Sequence, residues 1–210
     1  TNETISYNEI IKTNEIVQDV FQDDFSGKYL EFSEFLDEEI SNVSFRGAVF
    51  KEAKIERSLI DDGNFRFSVF LDSEIFNSSI NNSNFPRSVL FNTNWSETII
   101  SNSYFSGIQL EQVTFDNSKI SNTIMNGMAG VDSVIVNSKI SGVDISSSIL
   151  QNMIIKNSEI ESVKFDNSKI FRTTFDNVVF DDVDFGSSTP ASTEFRNSQF
   201  SNVDFTQADF

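Results

Sequence analysis

The large apolar residues of this chain recur every five positions. Counting in fives from Val20 to Phe210 gives 39 positions, and only Gly130 and Pro190 among them are not large and apolar. The comb opens Val20, Phe25, Leu30, Phe35, Ile40, Phe45, Phe50 and keeps its phase to Phe210 with nothing inserted or deleted. Neither the helical period of about 3.6 nor the strand period of about 2 fits this spacing. Two places before each comb residue the side chain is mostly small, as in Ser68, Ser73, Ser78, Ser83, Ser88 and Thr93. Two places after it Asn is frequent: Asn77, Asn82, Asn92, Asn102, Asn117 and Asn122.

Sorting the comb by twenties separates four columns. One reads Phe25, Phe45, Phe65, Phe85, Phe105, Met125, Ile145, Phe165, Phe185, Phe205; another holds Ile from Ile40 to Ile160 and ends Phe180, Phe200. Like residues stacked every twenty positions predict a coil with four short sides, each coil pairing with the next through parallel backbone hydrogen bonds. At a strand spacing of about 4.8 Å, about nine coils form a rod roughly 45 Å long. The expected architecture is one all-β domain, a quadrilateral parallel β-helix over residues 21–210.

Residues 1–20 depart from the comb, since Glu15 breaks it. Ser6 with Glu9 suits a capping box, and Tyr7, Ile10, Ile11 and Val17 suit one helix face. The segment is expected to cap the first coil, as a short helix or an irregular piece, because an open coil end exposes apolar rings and strand edges. At the other end the pattern stops at Phe210 with no cap, so that end is expected either to continue or to meet a partner. At Gly130, Met125 and Met128 are expected to fill the missing volume. Pro190 cannot donate to a ladder, so a bulge or small loop is expected there.

Composition narrows function more than fold. With no Cys and no His among 210 residues, disulfides, zinc fingers, haem ligation and Ser-His-Asp or Cys-His catalysis are excluded. The net charge of −17, from 15 basic and 32 acidic residues, argues against direct nucleic-acid binding. No apolar run is long enough for a membrane helix, and no export segment opens the chain. Cytoplasm is therefore the default expectation, while Thr1 suggests a trimmed chain. The charge is unevenly spread: residues 1–42 carry −9, residues 43–160 carry −3 and residues 161–210 carry −5. Carboxylate pairs such as Asp61-Asp62 and Asp181-Asp182 sit on a convex rod without a cleft, so no enzyme, cofactor or metal site is expected.

Two outward features are candidate partner-binding surfaces. An apolar ridge comprises Val49, Val69, Leu71, Val89, Phe91, Val131 and Ile149, with Val49, Val69 and Val89 spaced by twenty. The neighbouring side adds Phe76, Val134, Val136 and Ile154. Contiguous exposed apolar surface of this kind usually marks an interface, with a second copy of the chain or with another protein. The other feature is an acidic strip: Asp144, Asp166, Asp184 and Asp204, with Asp181 and Asp182 at its corner. Arg46 and Arg66 stack on one side of the middle coils, and Lys119 and Lys139 on another.

Segments such as Asp24-Phe25-Ser26-Gly27, Ser68-Val69-Phe70-Leu71-Asp72 and Gln207-Ala208-Asp209-Phe210 resemble the pentapeptide-repeat family. That resemblance implies a right-handed quadrilateral β-helix. It also implies one specific activity, since some members act as DNA mimics that bind DNA gyrase or topoisomerase IV and give quinolone or toxin resistance. An acidic rod would be drawn to a basic DNA-binding saddle, which makes a type II topoisomerase a candidate partner.

Overall fold

In the computed structural model, which describes residues 24–210, the chain winds into a four-sided β-solenoid. The cap expected over residues 1–20 lies outside the described residues. Three sides are parallel sheets. Sheet one runs from Tyr29–Glu31 to Lys169–Phe171, sheet two from Glu34–Leu36 to Glu194–Arg196, and sheet three from Glu39–Ser41 to Gln199–Asp204. The fourth, the bridged side, is centred on Phe25, Phe45 and their successors and pairs through single bridges such as Asp24 with Ser44 and Tyr104 with Ile124. Register is twenty residues throughout: Leu30 pairs with Phe50, Trp95 with Phe115 and Ile100 with Ile120. The bridged side has no full strands because its backbone closes tight turns, with the Lys28 N–H donating to the Phe25 carbonyl at 3.0 Å and Ala48 to Phe45 at 2.9 Å.

The corners explain the Asn positions. Every residue two places after a comb residue, from Gly27 to Gln207, has a positive φ, between 48° at Asn77 and 68° at Gly27. Asn tolerates this left-handed conformation better than most residues, because its short polar side chain bonds locally. Asn117 is an exposed corner with φ 50°. A β-branched residue there meets the strain directly, so Asn117→Val is expected to destabilise the rod by about 1–3 kcal/mol while Asn117→Gly stays near neutral. Urea unfolding of the two variants reads the difference.

Serine at the small position does more than fit the inner corner. Its hydroxyl accepts the N–H of the same position one coil earlier, as from Ala53 to Ser73 (3.1 Å), Thr98 to Ser118 (3.1 Å) and Met128 to Ser148 (3.0 Å). That hydroxyl also reaches a carbonyl, as Ser118 does toward Trp95 at 2.9 Å and Asp116 at 3.0 Å. These bonds extend the ladder through corners where a buried N–H would otherwise lack a partner.

The axis of the rod is filled by stacked rings. Phe45, Phe65, Phe85 and Phe105 stack nearly parallel with centroids 4.8, 4.3 and 4.4 Å apart, and Phe50 lies 4.3 Å from Phe70. The spacing follows from coil pitch, since a strand repeat of about 4.8 Å is also a comfortable ring-stacking distance.

The interruption at Gly130 differs from expectation in detail, and the one at Pro190 takes the form of a small turn. A Cβ placed on Gly130 would lie 2.7 Å from Met153 Sδ and 3.4 Å from Leu150, so the following coil fills this gap. Met125 and Met128 are buried nearby but are not its nearest neighbours. Pro190 opens a small turn, with the Thr193 N–H donating to the Pro190 carbonyl at 3.3 Å and the Ala191 N–H to the Thr189 carbonyl at 3.0 Å, while Thr189 still bridges Lys169 and Glu194 still pairs with Thr174. The proline is buried on the axis, and with the turn in place of a strand sheet one has eight strands where its neighbours have nine.

Candidate interaction surfaces

With alternate residues of each three-residue strand facing inward, the outward lines are set by register. On sheet one, Tyr29, Val49, Val69 and Val89 lie in direct succession, and Leu71 pairs beside Phe91. The three valines, Leu71, Phe91 and Val131 are half-buried, whereas Ile149 is 44% exposed. The ridge falls into two blocks, because Gln109 and Glu111 stand between Val89 and Phe91 on one side and Ala129 and Val131 on the other. The first block is longer than the sequence ridge: Tyr29 (56% exposed) extends it by one coil, with Phe32 (52%) at the corner. Tyr29 was available from the count of twenty before Val49. Phe32 was not, because its corner position gave no reason to expect an aromatic ring.

The acidic strip is mixed rather than continuous. Along one outward line of the bridged side Asp144 pairs with Lys164, Lys164 with Asp184 and Asp184 with Asp204. Asp166 lies on the parallel line beyond the centre, and Asp181 and Asp182 face sheet three and its corner. Several of these carboxylates also serve the backbone. Asp184 Oδ1 accepts the Gly186 N–H at 2.7 Å, and Asp144 Oδ1 accepts both the N–H (2.9 Å) and hydroxyl (2.6 Å) of Ser146. Asp204 does the same for Thr206, and hydrogen bonds from the Thr206 hydroxyl and N–H hold its carboxyl below the usual carboxylate range. Its stabilising contribution is thus present at neutral pH and lost as the pH falls through that lowered value. Among the described residues, no group of three or more acidic side chains is placed to hold a metal ion.

The bridged side also carries cations. Arg46, Arg66 and Arg87 are exposed on its first half, and none of them forms an ion pair among the described residues. The Arg66 guanidinium lies 4.8 Å over the Phe67 ring. A shallow groove of about 580 Å³ runs beside Arg66, Arg87 and Tyr104. Ion pairs concentrate elsewhere, with Lys51–Glu31 at 2.7 Å on sheet one and Lys139 bonded to Glu159 and Glu161 on sheet three.

No protein-family model matches this sequence, and no curated protein sequence does. Solved structures match the shape. Trypsin-treated QnrB1, a plasmid-mediated fluoroquinolone resistance protein, superposes with a TM-score of 0.51 at 15% identity, covering 84% of this chain and 79% of its own. HetL, a pentapeptide repeat protein involved in heterocyst differentiation regulation in the cyanobacterium Nostoc, gives 0.44 at 8% identity over 87% of each chain. This chain has the pentapeptide-repeat fold. At these identities the likeness extends to the fold alone, and function rests on what the pentapeptide-repeat rod presents outward.

Proposed function

We propose that the rod is a non-catalytic scaffold and that the apolar block of Tyr29, Val49, Val69, Leu71, Val89 and Phe91 is where another protein docks. One observation carries this reading: aliphatic and aromatic side chains line up over adjacent coils of sheet one, in register and facing solvent. A solenoid face is stiff, so a partner laid along it gains apolar contact with little ordering of the scaffold. Val69→Asp with Phe91→Asp places two charges in that block at half-exposed positions, and is expected to leave the fold intact while lowering partner affinity at least tenfold. Partner retention from the protein's own cell extract at high salt, compared between wild type and variant with circular dichroism as the folding control, checks it. Equal retention by both overturns the reading.

The rival reading is DNA mimicry toward a type II topoisomerase. It is supported by the net charge of −17, and by the shared rod shape of QnrB1, described as a fluoroquinolone resistance protein. Against it stand Lys164 within the acidic line and three arginines on the same side. Mimicry requires binding that collapses with salt and inhibition of gyrase supercoiling that is lost in Asp184→Asn with Asp204→Asn. Asn is the needed replacement there, because it keeps an oxygen acceptor for the turn N–H groups.

A further inference from the structure

Between its second and ninth coils the bridged side carries positive charge in one half and mainly negative charge in the other. Coils are numbered by their centre on that side, from Phe25 (one) to Phe205 (ten). Arg46, Arg66 and Arg87 project from coils two, three and four, and Asp144, Asp166 and Asp184 from coils seven, eight and nine. Midway, coils five and six present Tyr104 and Ile124, bridged to each other and 44% and 42% exposed. The arginines have no carboxylate partner among the described residues, and the apolar pair between the two charged halves is uncovered.

We infer that two copies of the rod pair through their bridged sides, antiparallel, about a two-fold axis that passes between coils five and six. A two-fold axis lying across the face sets coil n of one copy against coil eleven minus n of the other, and sets each outward line against itself. Arg66 and Asp166 both directly follow their centre, so they meet head on. Tyr104 meets Ile124 at the axis. Arg46 comes to coil nine, one line from Asp184, and Arg87 comes to coil seven near Asp144. Lys164 meets the uncharged Asn64, so the one basic residue of the acidic half faces no arginine, and the one like-charge meeting is at the ends, where Asp24 comes to Asp204. Every contact occurs twice, as a two-fold interface requires. Parallel pairing would bring the arginine-bearing coils of the two copies together, with no aspartate of the other half within reach. Sheet one faces a different direction, so this pairing leaves the apolar block free and is independent of the docking reading.

Light scattering on the full chain at low salt tests the pairing. The wild type is expected at twice its chain mass of 23.7 kDa, with the dimer dissociating as salt is raised. Arg66→Asp and Asp166→Arg are each expected to halve that mass, and Ile124→Asp on the axis to do the same. Mixing the first two variants is expected to restore it, because the mixed pair has Arg against Asp at both contacts while each variant alone sets like charges together. Val69→Asp with Phe91→Asp is expected to leave the mass at two chains. A wild type at one chain mass overturns the proposal, as does a dimer that survives Arg66→Asp. So does a mixture of two folded variants that stays at one chain mass.

Discussion

Replacing Phe85 by Ala is expected to cost the rod about 3–5 kcal/mol, the upper range for emptying a buried site. Phe85 has no exposed surface and is stacked on both faces, against Phe65 at 4.3 Å and Phe105 at 4.4 Å, with Trp95 edge-on at 6.1 Å. The coils above and below are fixed by their own ladders and cannot collapse into the space, so both the transfer loss and the cavity loss apply. Phe85→Leu keeps most of the volume and is expected to cost about 1–2 kcal/mol. Phe205 provides the contrast. It stacks fully on one side only, against Phe185 at 5.1 Å, and is half-buried, so Phe205→Ala is expected to cost clearly less than Phe85→Ala. Guanidinium unfolding of the three variants measures this. Equal losses for Phe85→Ala and Phe205→Ala would contradict a core built from two-sided stacking.

The second large effect lies at the gap in the comb. Met153 occupies a position that the repeat gives to small residues, and its sulfur stands where a side chain on Gly130 would go. Met153→Ala is expected to cost about 2–5 kcal/mol, because it empties the space of both residues. Gly130→Leu alone is expected to cost about 1–3 kcal/mol by overpacking against Met153. The double change Gly130→Leu with Met153→Ser restores the ordinary repeat, Leu on the axis and Ser at the corner. It is expected to lie closer to wild type than either single variant, with an interaction energy of about 0.5–3 kcal/mol. Backbone strain does not complicate the cycle, since Gly130 is not among the glycines with positive φ. Additive losses would show that the two sites are not exchanging volume.

Much of the fold was legible because the comb carries its own register. A five-residue period that never slips assigns every side chain inward or outward, and the count of twenty names each neighbour up and down the rod. What the count does not carry is backbone handedness and side-chain reach. Asn117 stood out by frequency, but only φ shows why a corner wants Asn, and corners at Phe32, Arg57 and Phe67 adopt the same φ without Asn. The Met153 compensation was hidden because it crosses from one coil to the next and from a corner to a centre. Pro190 suggested a bulge or small loop, and a short turn forms there: the Ala191 N–H goes to the Thr189 carbonyl, while Thr189 N–H to Ser168 at 2.8 Å and Ile170 N–H to Thr189 at 3.0 Å hold the register. Surfaces were less legible than the core. Arg46, Arg66 and the acidic strip were each visible, but their shared side emerges only when residues before and after the same centre are placed together.

The most direct test of docking on sheet one is site-specific photo-crosslinking in the protein's own cell extract. A photoreactive residue at position 71 or 91 reports on the apolar block, and one at position 184 or 204 on the acidic line. Positions 71 and 91 are expected to give the same protein adduct, kept at high salt, with none of that protein from 184 or 204. An adduct with another protein, confined to positions 184 and 204 and lost at high salt, would contradict docking on the apolar block, and would move the function of the rod to its negative charge.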